Sequence, residues 1–358
     1  MAKFTDIFED VTKQGTKIPT NLYLETGMYP IIDQGQSQVA GYTNETEGLF
    51  TDIPAIIFGD HTRIIKYVDT PCFLGADGVK LLKAKDPTAN YKYLYYALCN
   101  ADIPNTGYNR HFKWLKEIEI AECSTEEQNS IVAQFEKIDT LICLRKQQLS
   151  KLDELVKSRF IELFENGESP IKTVEELCSD IVDCPHITPK YEGELKNPAI
   201  RTSEIKKGYI AWETMRYVSD EEYEERTARL KPEAGDIVYG REGTFGNAAI
   251  LPGGYNFCLG QRVMLLRPDY SKCTSEYLLH SVISDDVYRQ ATEKNNASTV
   301  AHVNVKDVKQ FKVPLLSFDK QIQFATFVEQ TDKSKLEIQK SLEKLETLKK
   351  ALMQKYFR

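Results

Sequence analysis

Apolar residues between positions 131 and 163 recur mostly at steps of three and four: Ile131, Phe135, Ile138, Ile142, Leu149, Leu152, Val156, Phe160 and Leu163, with a break near Arg145. Residues three and four apart share one face of an α-helix, so the spacing predicts a long amphipathic helix. A second stripe closes the chain in Ile338, Leu342, Leu345, Leu348, Leu352 and Tyr356. Charged residues cover the outer faces of both, the pattern of a coiled coil. Each stripe could pack separately onto its own module. Pairing accounts for more, because each stripe is too long for one small module to cover and the other is the matching surface. The expected seam runs from Ile142 to Leu163 on one helix and from Ile338 to Tyr356 on the other.

The two stripes belong to an internal repeat. "LSKLDELVKSRFIELF" (149–164) is echoed by "LEKLETLKKALMQKYF" (342–357), with Leu149, Leu152 and Leu155 matched by Leu342, Leu345 and Leu348, and Phe164 by Phe357. At the same offset of 193 residues, Gln128 aligns with Gln321, Glu136 with Glu329 and Asp139 with Asp332. Upstream, "WLKEIEIAECS" falls opposite "DVKQFKVPLLS", "IPAIIFGD" resembles "AGDIVYGR", "YKYLYYAL" matches "SEYLLHSV", and "FTDIFEDV" has a counterpart in "TVEELCSDIV". Short apolar runs such as "PAIIFG", "IIKYV", "GVKLLKA", "DIVYG", "NAAIL" and "RVMLLRP", separated by Gly, Asp and Pro, predict strands. The chain therefore reads as an α+β protein: a β-rich module over 1–124, a central helix over 125–165, a second β-rich module over 166–317 and a terminal helix over 318–358. "ENGESP" (165–170) marks the boundary.

Composition removes several classes. No run of 18 apolar residues exists, so no membrane partner is expected, and the start lacks the apolar stretch of a signal peptide. Eight scattered cysteines without a CxxC pair fit reduced thiols in a cytoplasmic protein. Cys178, Cys184 and His186 have a spacing that suits no common zinc module, so no metal site is expected. A phosphate-binding GxxxxGK[ST] loop, a Gly-rich dinucleotide turn and a methyltransferase Asn/Asp-Pro-Pro-Tyr stretch are all missing, as are an HExxH or triad signature among the histidines. "EGELK" (192–196) lacks the preceding Pro-Asp that a metal-dependent nuclease would need. No catalytic residues are expected. The net charge of −7 argues against binding nucleic acid through the overall field, though it permits a local patch or a basic partner.

Side chains that read base edges nevertheless collect on matching loops of both modules. The first offers Gln34, Gln36 and Ser37, then His61, Thr62 and Arg63 just beyond a strand, and Tyr108, Asn109, Arg110, His111 and Lys113. The second offers Arg201, Thr202 and Ser203, Arg241, Glu242 and Thr244, Gln261 and Arg262, and Ser298, Thr299, His302 and Asn304. Arg suits guanine and Asn or Gln suits adenine, by paired hydrogen bonds, while Ser and Thr hold phosphates. The loops differ between modules although the scaffolds match, as two readers of different targets would.

With these stretches in view, the chain resembles the specificity subunits of Type I restriction-modification enzymes throughout its length. "EEQNSIVAQFEKIDTLI…QLSKLDELVKSRFIELF" and its echo resemble that family's central and distal helices. "GDIVYGREGTFGNAAIL…GQRVML" with "DCPHITP", and "YPIIDQGQSQVAGY…IIFGDHTRIIKYV…GYNRHFKWLKEIEI", resemble two forms of its target recognition domain. The resemblance implies a non-catalytic reader of double-stranded DNA, one module per half of a split sequence, docking two modification (methyltransferase) subunits and restriction (helicase-nuclease) subunits. No cofactor would be bound by this chain; S-adenosylmethionine, ATP and Mg2+ would belong to the partners. The competing reading is a coiled-coil scaffold whose β modules bind protein or carbohydrate.

Paired helices would also act as a ruler. About 25 helical residues span roughly 38 Å, close to one DNA turn of about 34–36 Å, so the half-sites are expected about one turn apart. Inserting one heptad into both helices at matched points keeps the seam in register and lengthens the ruler by about 10 Å. Methylome sequencing of a strain carrying that variant is expected to show each half-sequence unchanged and the gap longer by roughly three base pairs; an unchanged gap would mean that something else sets the spacing.

Overall fold

The computed structural model describes residues 1–75, 78–163, 169–192, 196–243, 246–293 and 302–357. The chain divides into two compact units, one formed by Met1–Gln147 with Gln339–Arg358 and the other by Gln148–Ile338. Phe164 and most of the boundary expected at 165–170 lie outside the described residues.

In the first unit the strands Phe8–Asp10, Val79–Ala84, Ala55–Gly59 and Ile65–Val68 form one antiparallel sheet in that order. A smaller sheet orders Gly41–Thr43, Tyr29–Ile32 and Phe73–Leu74, the last two parallel. The second unit repeats the plan. Cys178–Asp183, Val263–Pro268, Ile237–Gly240 and Ala248–Ile250 form an antiparallel sheet, and a second sheet again contains one parallel pair, Asn197–Ile200 with Cys258–Leu259. In each unit the first strand pairs with the last before the helix that follows: Ala2–Lys3 with Glu119–Ile120, and Ile171–Thr173 with Lys312–Pro314.

The main strands are apolar on both faces because both faces are covered. Ile56, Phe58 and Leu82 pack beneath the short helix Tyr91–Cys99 and the start of the central helix, while Ile57, Val79 and Leu81 fill a separate cluster under the smaller sheet. Ile237, Tyr239, Met264 and Leu266 divide from Val238, Val263 and Leu265 in the same way. Period-two alternation thus feeds two thin cores per unit.

The central helix runs over Thr125–Glu162 and the terminal helix over Phe318–Phe357. Gln128 and Gln321, which match in the repeat, do the same job at the two helix entries: the Nε2 of Gln128 donates to Cys123 O (3.2 Å), and that of Gln321 to Leu316 O (3.0 Å). In the first unit Tyr356 donates to Gln134, Lys349 reaches Asp139 and Glu346 lies near Lys146, so residue numbers rise on one helix as they fall on the other. In the second unit Phe160 packs on Phe324 and Lys335 bonds Asp153 at 2.6 Å, the same antiparallel sense. The helices are paired.

The seam differs from the expected one in a single register position. Leu348 is 47% exposed, like its repeat partner Leu155, and Lys349 takes the inward position instead. The inward residues Ile338, Leu342, Leu345, Lys349, Leu352 and Tyr356 step alternately by four and three, and Leu348 falls off that row. Lys349 is tolerated there because Asp139 receives its ammonium and Tyr96 offers a ring 5.9 Å away, while the Tyr96 hydroxyl donates to the other Asp139 oxygen. On the central helix Val156, Phe160 and Leu163 are buried, whereas Ile142, Leu149 and Leu152 are half-buried with Arg145 between them, which is the break in the pattern.

His280, on the short helix Ser275–Val282, sits against Phe160 (5.8 Å) and Phe324 (5.0 Å) where the two long helices meet their module. Burial, with the Lys335 charge as a second cause, pushes its pKa down to about 4. A neutral imidazole is therefore required. Its folded pKa lies below the ordinary value near 6.5, so the stability it contributes is present above about pH 6.5 and is lost as pH falls toward about 4. Thermal unfolding from pH 7.5 to 4.5 is expected to show a smaller loss in His280→Leu than in the unsubstituted protein; parallel pH profiles would rule this group out as the cause.

Candidate nucleic-acid interface

Each unit builds its loop cluster around one buried charged residue placed directly after the glycine that ends a central strand. In the first unit it is Asp60, 4% exposed. Its N–H donates to Gly78 O (2.7 Å), its carbonyl accepts from His111 N (2.8 Å), and its Oδ1 accepts from Phe112 N (2.7 Å). In the second unit it is Arg241, 5% exposed. Its N–H donates to Arg262 O (3.0 Å), its carbonyl accepts from Val303 N (2.9 Å), and its Nη2 bonds Asp183 at 2.8 Å. The same three segments are gathered in both units by the same backbone bonds, with side chains of opposite charge.

A second junction is also repeated. Gly75 N donates to Ile32 O and Gly260 N to Ile200 O, at the ends of the two parallel strand pairs. This sets "DQGQSQ" of the first unit and "RTSEI" of the second at matching places. In the first unit the loop is fastened from below by Lys66, a buried ammonium that bonds Ser37 O and Asp33, its pKa lowered by burial against the opposing pull of Asp33. In the second, the buried guanidinium of Arg226 holds Leu259 O (2.9 Å) and Ile187 O (3.2 Å), next to Gly260 and Thr188. Neither is among the residues to which the loop composition points. The signals are modest: Lys66 stands at an inward position of the alternating strand "IKYV", and Arg226 follows Glu222 by one helical turn and pairs with it.

The first unit's candidates converge. The rings of His61 and Tyr108 stack at 4.7 Å and 8°, with Tyr108 86% exposed, and His61 Nδ1 lies 3.2 Å from Asn109 O. Thr62 donates to Gln34 O (2.6 Å), and the Gln34 side-chain oxygen accepts from His61 N. Arg63, in a left-handed backbone (φ 63°), bonds Ile103 O at 3.0 Å. Gln36, Ser37, Arg110 and Lys113 are exposed around them, Lys113 over the Trp114 ring. His111 departs from the expectation: it is fully buried, its Nδ1 beside Asp60 O, and anchors the loop rather than facing outward as a reader.

The second unit's candidates divide similarly. Gln261 donates to Thr188 (2.9 Å), Arg262 Nε lies 2.8 Å from Glu242, and His302 Nδ1 lies 3.1 Å from the other Glu242 oxygen. These line a concavity of about 750 Å³ together with Cys184, His186 and Asn304. Arg241 is corrected from reader to structural tie, because its guanidinium is buried against Asp183. Arg201 and Ser203 are likewise committed to the buried Glu204, Arg201 through two nitrogens and Ser203 through its hydroxyl, while Thr202 is half-buried beside them. Thr244, Ser298 and Thr299 lie outside the described residues. Cys178 and Cys184 pack into different core clusters, and among the described residues no group of three or more His, Cys, Asp or Glu is placed to hold a metal ion.

The family model for the Type I restriction modification DNA specificity domain matches residues 1–154 and 190–350. The chain belongs to that family. It is 23% identical over 350 residues to the Type I restriction enzyme EcoR124I/EcoR124II specificity subunit of Escherichia coli, covering 87% of this chain and 81% of that one. Its fold is similar to that of the Type I restriction-modification S subunit of M. genitalium, with a TM-score of 0.59 and 18% identity over 99% of this chain and 95% of the other. A chain from the type I R-M system gives 0.54 and 15%, over 100% and 95%. At those identities the likeness establishes the fold. Membership makes this chain a DNA sequence-recognition subunit, and its two repeated units suit a target in two parts.

Because Arg241 and Asp183 are both largely buried, removing one partner strands the other. Arg241→Ala is expected to destabilise the protein by about 3 kcal/mol, and Asp183→Ala by a similar amount. The double substitution should cost clearly less than their sum. Additive losses in thermal unfolding would show that the pair is not coupled.

Proposed function

We propose that each unit reads one half of a split double-stranded DNA target, and that the chain joins two modification subunits and the restriction subunits of a Type I complex. Methyl transfer from S-adenosylmethionine, and ATP- and Mg2+-dependent translocation and cleavage, are the partners' chemistry. The observation that carries this reading is the repeated junction: one buried tie gathers the same loops in each unit, and the polar side chains mounted on them differ. A common frame with different tips reads two different sequences. The net charge of −7 supports the division of labour, since phosphate contacts dominate affinity and must come largely from basic partner surfaces.

Two docking contacts are supported by a second repeated feature. Leu155 and Leu348 occupy equivalent positions on the two long helices, and both stay exposed at nearly half their surface. Exposed leucines at matching places are what two copies of one partner would require. With the modification subunit co-expressed, the wild-type complex is expected to methylate adenine at a split sequence and to contain two modification subunits by native mass spectrometry. Leu155→Glu and Leu348→Glu should each leave one, and together none. A wild-type complex of one-to-one stoichiometry, or variants that both retain two copies, would count against this arrangement.

A further inference from the structure

We infer that Arg262 reads a guanine in the half-site of the second unit, with Glu242 and His302 as its positioning residues; the inference rests on the DNA-reading role above and gives that role a residue and a base. Arg262 has a φ of 64°. An L residue adopts that left-handed backbone at a cost that glycine avoids. The first unit places Gly78, φ 88°, at the same point: it precedes the matching strand, and its carbonyl accepts the same N–H that Arg262 O accepts in the second unit. A Cβ on Gly78 would stand 2.6 Å from the Gln34 side chain, so the first unit uses that space for a different group. The frame itself does not need a side chain here. The second unit nevertheless carries an arginine, 62% exposed, at the rim of its concavity.

Strained backbone persists where surrounding structure fixes it, and it gathers at functional sites. A stabilising role does not account for it, because an exposed ion pair adds little. The geometry is that of a presented guanidinium. One Glu242 oxygen forms an ion pair with Arg262 Nε at 2.8 Å, and the other lies 3.1 Å from His302 Nδ1, which makes no hydrogen bond. The backbones of Glu242 and His302 form an antiparallel bridge, which fixes the carboxylate's base. Arg262 N donates to Cys184 Sγ (3.1 Å), and the neighbouring Gln261 is held by Thr188. Among the described residues neither terminal nitrogen of Arg262 makes a hydrogen bond, so both remain able to donate outward. Two parallel N–H donors at that end match O6 and N7 of guanine in the major groove, a fit that a lysine's point charge cannot supply.

The test uses the full chain in complex with its modification subunits, enriching bound sequences from a randomised double-stranded DNA library. The unsubstituted complex is expected to enrich a two-part motif. Arg262→Gly relieves the left-handed backbone, so its thermal stability should stay level or rise. Its motif should match at every position except one G·C pair, where discrimination falls roughly 5- to 150-fold. Arg262→Lys should lose discrimination at that same pair, and Glu242→Gln should weaken it there and nowhere else. An unchanged motif in Arg262→Gly, or a loss spread evenly over all sequences as for a phosphate contact, overturns the proposal. A wild-type complex that enriches no sequence overturns the DNA-reading role itself, and the proposal with it.

Discussion

One charged residue just past the end of a central strand holds each recognition surface together. Asp60 and Arg241 are buried at a place where three segments meet, and leaving a buried ion or strong acceptor there without partners is costly. The main chain of each residue ties together segments far apart in sequence, and its side chain adds a bond to Phe112 N in one unit and to Asp183 in the other. Residues near 60, 78 and 111 converge in one unit, and residues near 241, 262 and 303 in the other. The loop tips are then free to vary, because the bonds that hold them are made by main chain and by one inward side chain.

The helices follow a related logic. A seam built only of leucine would be stronger, yet Lys349, Lys335 and Arg145 all stand at or beside inward positions. Polar residues in a seam lower its stability and fix its register. Asp139 shows how: it receives Lys349 from the terminal helix and the Tyr96 hydroxyl from the module, so one carboxylate locks helix to helix and helix to module. A slip by one turn would leave these groups unpaired.

Much of this was legible in the sequence, for identifiable reasons. The repeat at a constant offset exposed the two-unit plan, and 3–4 spacing exposed the helices, because both are one-dimensional patterns. The apolar spacing places Leu348 in the seam because a leucine and a lysine one residue apart both fit a loose stripe; only the acceptor at Asp139 decides between them, and that contact joins residues more than 200 positions apart. Arg241 and His111 look like readers because their types suit base edges. Whether such a side chain faces outward depends on Asp183 and Asp60, which no local pattern places beside them. Lys66 and Arg226 stayed hidden for the converse reason, as charged residues whose task is internal.

The accounting of polar groups limits how the surface can work. Arg63, Arg201, Arg226 and Arg241 each bond groups of their own unit, and Thr62 and Ser203 spend their hydroxyls in the same way. Of the candidates, Gln36, Ser37, Arg110, Lys113 and the Tyr108–His61 stack face outward in the first unit, and Arg262 and Asn304 in the second. These side chains stand on a chain of net charge −7, whose overall field does not favour DNA. They can still rank sequences, since discrimination at one base pair needs only one well-held donor pair.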